Sequence, residues 1–276
     1  MLPSQASVGK TIRMERIFKD GAAIMIAINH GIAMGACGGL ARPALLFDKM
    51  ANERVDSWTM HKGMAVRMAP LFAGKASLVL KSSNATEKFF PDETPVASVE
   101  EAVRLGADAV AFGLSLYDPL ERQSIERLGQ LVREAEQVGM PTVAHSYPCG
   151  SLIPEAERFT LPRVSYAARV AYELGIDLIK TYWTGSAKTF EEIVRIGSPA
   201  KVVISGGPKC KTLRECYEMT YQGISAGADG ITYGRNVWQH EYPAAVVRGL
   251  SVIVHDHGTV DMALEAAADA AETHLE

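Results

Sequence analysis

The sequence predicts a single (β/α)8 barrel over residues 1–276, with a short N-terminal extension and a C-terminal helix, and three observations carry that expectation. Eight short β-rich apolar runs alternate with longer stretches of helical period from residue 22 onward, the pattern of repeated strand–helix units around a parallel sheet. Gly106, Gly139, Gly175 and Gly227 each stand just before such a run, where a glycine ends a helix in the left-handed conformation. No shift of composition and no Pro/Gly/Ser linker divides the 276 residues, a length suited to one barrel of about 250 residues.

Taken in order, the strands are predicted at 22–28 (AAIMIAI), 56–60 (DSWTM), 76–81 (ASLVLK), 107–113 (ADAVAFG), 141–147 (PTVAHSY), 177–183 (DLIKTYW), 201–206 (KVVISG) and 230–234 (GITYG). Helices follow at about 41–53, 63–72, 98–105, 119–138, 161–174, 188–196, 212–226 and 242–255, with an alanine-rich helix near 259–273. Eight complete units favour closure into a barrel over an open doubly wound sheet.

Composition narrows the function. At 47% hydrophobic and 22% charged residues the chain has the make-up of a globular protein with a sizeable core. A net charge of −4 argues against a general nucleic-acid binder. The first residues lack the apolar stretch of a signal peptide, and no apolar run has membrane-spanning length, so a cytoplasmic protein without a membrane partner is expected. Cys37, Cys149, Cys210 and Cys216 show neither CxxC spacing nor histidine partners at zinc-finger distance, so no metal site is expected and the cysteines are read as thiols.

In such a barrel the C-terminal strand ends converge on one face, and here nearly every end carries a polar or glycine feature. The ends read Asn29-His30-Gly31, Lys81-Ser82-Ser83-Asn84, His145-Ser146-Tyr147-Pro148, Lys180, Ser205-Gly206-Gly207 and Gly234-Arg235-Asn236. Lys180 lies in an otherwise apolar strand, where burial disfavours ammonium and leaves an amine able to attack a ketone and form an imine. A lone strand lysine is more often an ion-paired or snorkelling residue than a nucleophile; its company among the other strand ends reverses that balance. Ser205, Gly206 and Gly207 with Gly234 and Arg235 end the last two strands, where barrels bind phosphate through backbone amides, and Lys81 adds a cation at a third strand end. Tyr147 reads equally as a general acid/base and as a core tyrosine with a satisfied hydroxyl. His145, on the same strand face, and His30 read as substrate contacts or as satisfied structural histidines.

The ordered set AINHG, HSYPCG, LIKTYW, ISGGPK and YGRNVWQ resembles the DhnA-type class I aldolases over roughly residues 12–258. That family takes in archaeal-type fructose-bisphosphate aldolases, aminodideoxyheptulosonate-type synthases and the thiolase acting on phosphorylated autoinducer-2. The resemblance implies Schiff-base chemistry at Lys180, proton transfer by Tyr147, phosphate held by the last two strand loops, no cofactor, and a ring-shaped homo-oligomer such as a decamer. Two positions depart from the family pattern. Asn29 stands where an aspartate is usual, so it can orient a hydroxyl but cannot take a proton. Cys149 stands where an arginine is usual, removing a cation for an anionic substrate group and making a monophosphate the expected substrate. The leading expectation is an aldolase or synthase that converts dihydroxyacetone phosphate, or a related ketose phosphate, into an enamine. The alternatives are a thiolase-like transfer from a phosphorylated dione to coenzyme A, and a catalytically retired barrel that binds a sugar phosphate.

Overall fold

The computed structural model describes residues 5–273. Strands β1 (Ala23–Ala27), β2 (Ser57–Met60), β3 (Ser77–Lys81), β4 (Ala109–Leu116), β5 (Thr142–Pro148), β6 (Leu178–Tyr182), β7 (Lys201–Ser205) and β8 (Gly230–Tyr233) form a closed barrel in sequence order. Neighbours are parallel throughout, and β1 closes the ring on β8 in the register Ala23↔Gly230. Helices at Pro43–Lys49, Lys62–Phe72, Val99–Arg104, Glu121–Gln137, Leu161–Glu173, Ala187–Gly197, Leu213–Ser225 and Pro243–Val254 follow the strands, and Val260–Thr273 is the final helix. Each falls within a few residues of its expected span.

Local chemistry explains the boundaries. Ser98 caps its helix reciprocally with Glu101, and the side chains of Ser186 and Thr212 accept the backbone N–H of Thr189 and Glu215. Gly106, Gly139, Gly175 and Gly227 all take positive φ, as a helix-ending glycine before a strand requires. Among the described residues no helix is long and apolar enough to cross a membrane.

Alternation along the strands separates two cores. Ile24, Val110, Phe112, Ile179, Val202 and Ile231 face the surrounding helices. Ala23, Met25, Val79, Ala109, Ala111, Val143, Leu178 and Val203 fill the lower lumen. Each fully buried valine, leucine or isoleucine is worth about 1.5–3 kcal/mol. Small alanines on β1 and β4 leave room for Ile17 and Phe18, which enter this inner core from below.

Those two residues arrive with an unexpected element. The N-terminal extension contains the helix Gln5–Ile17, which the apolar pattern does not announce because Val8 and Ile12 are exposed while Ile17 is buried. Long-range polar contacts hold it across the barrel floor: Lys10 pairs with Asp177, Arg16 with Asp108, and Arg13 donates to the carbonyl of Gly139.

The same aspartates belong to a fourfold device. Asp56, Asp108, Asp177 and Asp229 immediately precede β2, β4, β6 and β8, and each carboxylate accepts the backbone N–H of Ile24, Leu78, Thr142 and Val202 respectively, at the start of the preceding strand. Donors at the open lower edge are thereby satisfied in pairs of adjacent strands.

Candidate active site at the barrel mouth

Lys180 is two residues beyond Leu178 on β6, so it takes the same inward face one layer higher, above the apolar floor. It is buried, at 7% exposure, and has no hydrogen bond or ion pair among the described residues. Burial, reinforced by the positive charges of Lys81 and Arg235, lowers its pKa to about 7, so a sizeable fraction is free amine at neutral pH. In register, Lys180 pairs with His145 on β5 and Val203 on β7.

His145 and Tyr147 both face the lumen, with ring centroids 6.4 Å apart. Burial first, then the charge of Lys180, holds the His145 imidazole well below its ordinary pKa, so it is neutral. The Tyr147 hydroxyl donates to Ser205 Oγ at 3.0 Å, and its ring stacks on Tyr182 at 4.4 Å. Tyr182 in turn packs on Phe159. Burial, with Tyr182 alongside, raises the Tyr147 pKa well above the phenol range, so the group is a protonated donor.

The last two strand loops are tied together. Asn236 donates through Nδ2 to the Gly206 carbonyl at 3.0 Å and accepts from the Cys210 N–H at 2.7 Å, and Arg235 donates to the Gly207 carbonyl at 2.7 Å. The Arg235 guanidinium is thus anchored at one nitrogen while its residue remains partly exposed. Gly207 has φ +59° with open space about the position of a Cβ, whereas a Cβ on Gly234 would lie 2.6 Å from His30 Cε1 and 2.8 Å from the Ala27 carbonyl oxygen. Gly234 therefore lets His30 and Trp238 close the β1–β8 seam, with the rings edge to face at 5.1 Å and Trp238 Nε1 donating to Ala27 O at 3.1 Å. His30 is neutral, its pKa lowered to about 3 by burial and by Lys180 and Arg235.

Lys81 is not the free cation expected at the β3 end. It is 1% exposed, and its ammonium donates to Ser83 Oγ and Glu93 Oε2, both at 2.8 Å. Ser83 also donates to the same Glu93 oxygen at 2.6 Å. Glu93 occupies the space a side chain at 113 would fill, since a Cβ on Gly113 would meet its carboxyl carbon at 2.0 Å. Sequence reasoning passed over Glu93 because the 85–97 loop has no periodic pattern; a glycine in the middle of β4 was the available signal.

Asn29 is partly exposed at the mouth, and its backbone carbonyl is the better-anchored part. That oxygen accepts from Asn84 Nδ2 at 2.8 Å and lies 3.1 Å from His61 Nε2. His61 has its pKa lowered to about 4 by burial and by Lys81. In the neutral tautomer with Nδ1 protonated, Nδ1–H donates to the Lys81 carbonyl at 2.8 Å and Nε2 accepts from Asn84 at 2.9 Å. His61 and Asn84 hold the β1, β2 and β3 ends together.

The mouth thus collects Lys180, Tyr147, His145, His30, Asn29, Ser205, Gly206, Gly207, Gly234 and Arg235 around one face. A groove of about 850 Å³, lined in part by Phe47, Trp58 and Phe72, opens at the other end of the barrel near Asp56 and Asp108. It does not include Lys180 or its neighbours.

The sequence profile of the DeoC/LacD family aldolases matches residues 23–240. The chain is 33% identical over 259 residues to the 2-amino-3,7-dideoxy-D-threo-hept-6-ulosonate synthase of Halobacterium salinarum, covering 93% of this chain and 95% of that one. It is 34% identical over 261 residues to the 3-hydroxy-5-phosphonooxypentane-2,4-dione thiolase of Escherichia coli, covering 93% and 86% respectively. The crystal structure of an archaeal fructose 1,6-bisphosphate aldolase superposes with TM-score 0.82 at 33% identity, over 89% of this chain and 99% of that one. A structure of an archaeal fructose-1,6-bisphosphate aldolase whose catalytic lysine is covalently bound to the carbinolamine intermediate superposes with TM-score 0.80 at 32% identity, over the same shares.

Proposed function

The chain is a class I aldolase of the DeoC/LacD family, and from that membership we propose that Lys180 forms an imine with a phosphorylated ketone, with dihydroxyacetone phosphate as donor or product. The observation that carries this reading is a buried, unpartnered lysine with a pKa near 7 at the centre of the mouth. Its lone pair attacks the ketone carbon, and the carbonyl oxygen takes a proton from Tyr147. A proton passes from the carbinolamine nitrogen to its hydroxyl, which leaves as water to give an iminium ion, and the α-proton passes to the Tyr147 phenolate to give the enamine. The enamine carbon adds to an aldehyde whose oxygen takes the proton of Tyr147, and water then hydrolyses the iminium ion, freeing Lys180 as the amine and returning a proton to Tyr147. The ketone's phosphate is held at the β7 and β8 loops by the amides about Gly206, Gly207 and Gly234 and by Arg235. His145, His30 and Asn29 border the reacting carbons as neutral hydrogen-bonding groups. The same reading makes the enzyme a cytoplasmic homo-oligomer, by analogy with the family.

Borohydride trapping with dihydroxyacetone phosphate tests this. A reduced adduct mapped to Lys180 is expected, forming faster as pH rises through about 7, where ammonium becomes amine, and levelling off above about 8. A rate still climbing at pH 9.5 would mean that the amine titrates as an ordinary lysine. Tyr147→Phe keeps the stack on Tyr182 and removes the proton; we expect kcat to fall about 10²- to 10⁴-fold with little change in KM. A KM effect alone would make Tyr147 a binding residue.

Similarity to the Escherichia coli thiolase favours one second reading, acyl transfer from a phosphorylated dione to coenzyme A. It uses the same lysine. Product analysis with and without coenzyme A separates the two.

A further inference from the structure

We propose that Cys210 and Cys216 form an oxidation site beside the β7 loop, at which hydrogen peroxide closes a disulfide and loosens the backbone that carries Gly206 and Gly207. The consequence for substrate rests on the reading of that loop as the holder of phosphate. The disulfide itself does not depend on it.

The pairing begins with how the chain enters the helix Leu213–Ser225. The Thr212 side chain accepts the Glu215 N–H at 3.1 Å and the Glu215 carboxylate accepts the Lys211 N–H at 2.8 Å, so the residues ahead of the helix fold back over its first turn. Cys210 thereby meets Cys216, and the two side chains are hydrogen-bonded to each other. Both are free thiols, Cys210 half-buried and Cys216 buried. The bond from Cys216 holds the Cys210 thiol below its ordinary pKa, and the same bond, with burial, raises Cys216 well above it. Reactivity follows thiolate character and access, so Cys210 is the nucleophile and Cys216 the resolving thiol. Cys149 does not compete, since burial raises its pKa to about 11.

The Cys210 thiolate attacks one peroxide oxygen and breaks the O–O bond, leaving a sulfenic acid and a hydroxide that takes up the proton Cys210 released. The Cys216 sulfur then attacks the Cys210 sulfur and breaks its S–O bond, and the departing hydroxide takes the Cys216 proton. Two thiols and one peroxide become one disulfide and two waters, the peroxide accepting the two electrons. Cys210 is also tied to the β8 loop. Its N–H donates to Asn236 Oδ1 at 2.7 Å and its sulfur is a further hydrogen-bond partner of Asn236, whose Nδ2 donates to the Gly206 carbonyl at 3.0 Å. A covalent bond is closer than the thiol contact it replaces, so closure draws Cys210 toward the helix and away from Asn236. Gly207, at φ +59° with open space about the position of a Cβ, gives the loop room to follow.

The experiment treats the reduced full chain with hydrogen peroxide and maps its cysteines by mass spectrometry. Reduced and oxidised forms are then compared by amide hydrogen exchange and by the dihydroxyacetone phosphate concentration that half-saturates borohydride trapping at Lys180. A Cys210–Cys216 disulfide is expected, with faster exchange in the 206–210 segment and half-saturation raised about tenfold, the scale of one lost hydrogen bond. Dithiothreitol should reverse all three. Cys216→Ala should keep the half-saturation of the reduced protein within about twofold and lose the response to peroxide. Cys210→Ser, which changes the more exposed partner, should lose that response as well. Peroxide treatment that leaves these two cysteines unlinked, or a disulfide that leaves exchange in the 206–210 segment unchanged, overturns the inference while the imine reading stands. Faster exchange with unchanged half-saturation upholds the disulfide and overturns the placing of phosphate on this loop. Absence of any Lys180 adduct in the reduced protein overturns the imine reading alone, and the mass and exchange measurements still decide the disulfide.

Discussion

Lys180→Met is expected to abolish borohydride labelling by dihydroxyacetone phosphate and to reduce turnover by about 10⁴-fold or more, the scale on which loss of a covalent nucleophile is felt. The same substitution should stabilise the protein. Lys180 is buried with no partner, and its folded pKa lies near 7 against 10.5 for a free lysine. Between those values the unfolded chain holds a proton that the native state has released, so stability rises with pH across that window and the penalty is greatest below pH 7. Methionine of similar length carries no such penalty. Chemical denaturation should therefore find the variant more stable by a few kcal/mol at pH 6, with the gain shrinking toward pH 10. A variant that loses both activity and stability would indicate that Lys180 is a structural residue.

Asp177→Ala should be the most damaging change far from the mouth. Its carboxylate accepts the Thr142 N–H and the Thr142 hydroxyl, both at 2.8 Å, and pairs with Lys10 of the floor helix at 3.1 Å. Removing it leaves a backbone donor at the start of β5 unsatisfied and takes away one of the contacts that hold the helix leading Ile17 and Phe18 into the inner core. A loss of about 2–4 kcal/mol is expected, read as a lower midpoint in urea. Asp177→Asn keeps an acceptor but gives up the ion pair with a partly exposed lysine, so its loss should be about 1 kcal/mol or less. Equal losses in the two variants would show that charge, and not the strand-edge hydrogen bonds, is what matters there.

Much of the site is visible along the chain because a strand's alternation is local. Lys180, Tyr147 and His145 can be assigned to the lumen from their spacing to apolar neighbours, and the paired glycine loops of β7 and β8 follow from strand order. The helix Gln5–Ile17 escapes such reading. Its stability comes from Asp108, Gly139 and Asp177, more than ninety positions away, instead of from an apolar stripe of its own. Glu93 and His61 escape it for a related reason: their roles exist only where a loop or a strand end meets another strand's backbone.

The two lysines show where local pattern stops. Lys81 and Lys180 both sit at inward positions of short apolar strands, and nothing in their immediate sequence separates them. In three dimensions one is covered and neutralised by Glu93, while the other is left without a counterion. Two arginines extend the contrast: Glu157 pairs with Arg163 in the first turn of the helix Leu161–Glu173, and Arg158, five positions earlier, has no ion pair among the described residues. Side-chain direction is a property of backbone geometry over two or three residues, so the chain order alone settles it. Charge state and chemical availability depend on which distant groups approach within a few ångströms, and only the closed barrel brings those groups together.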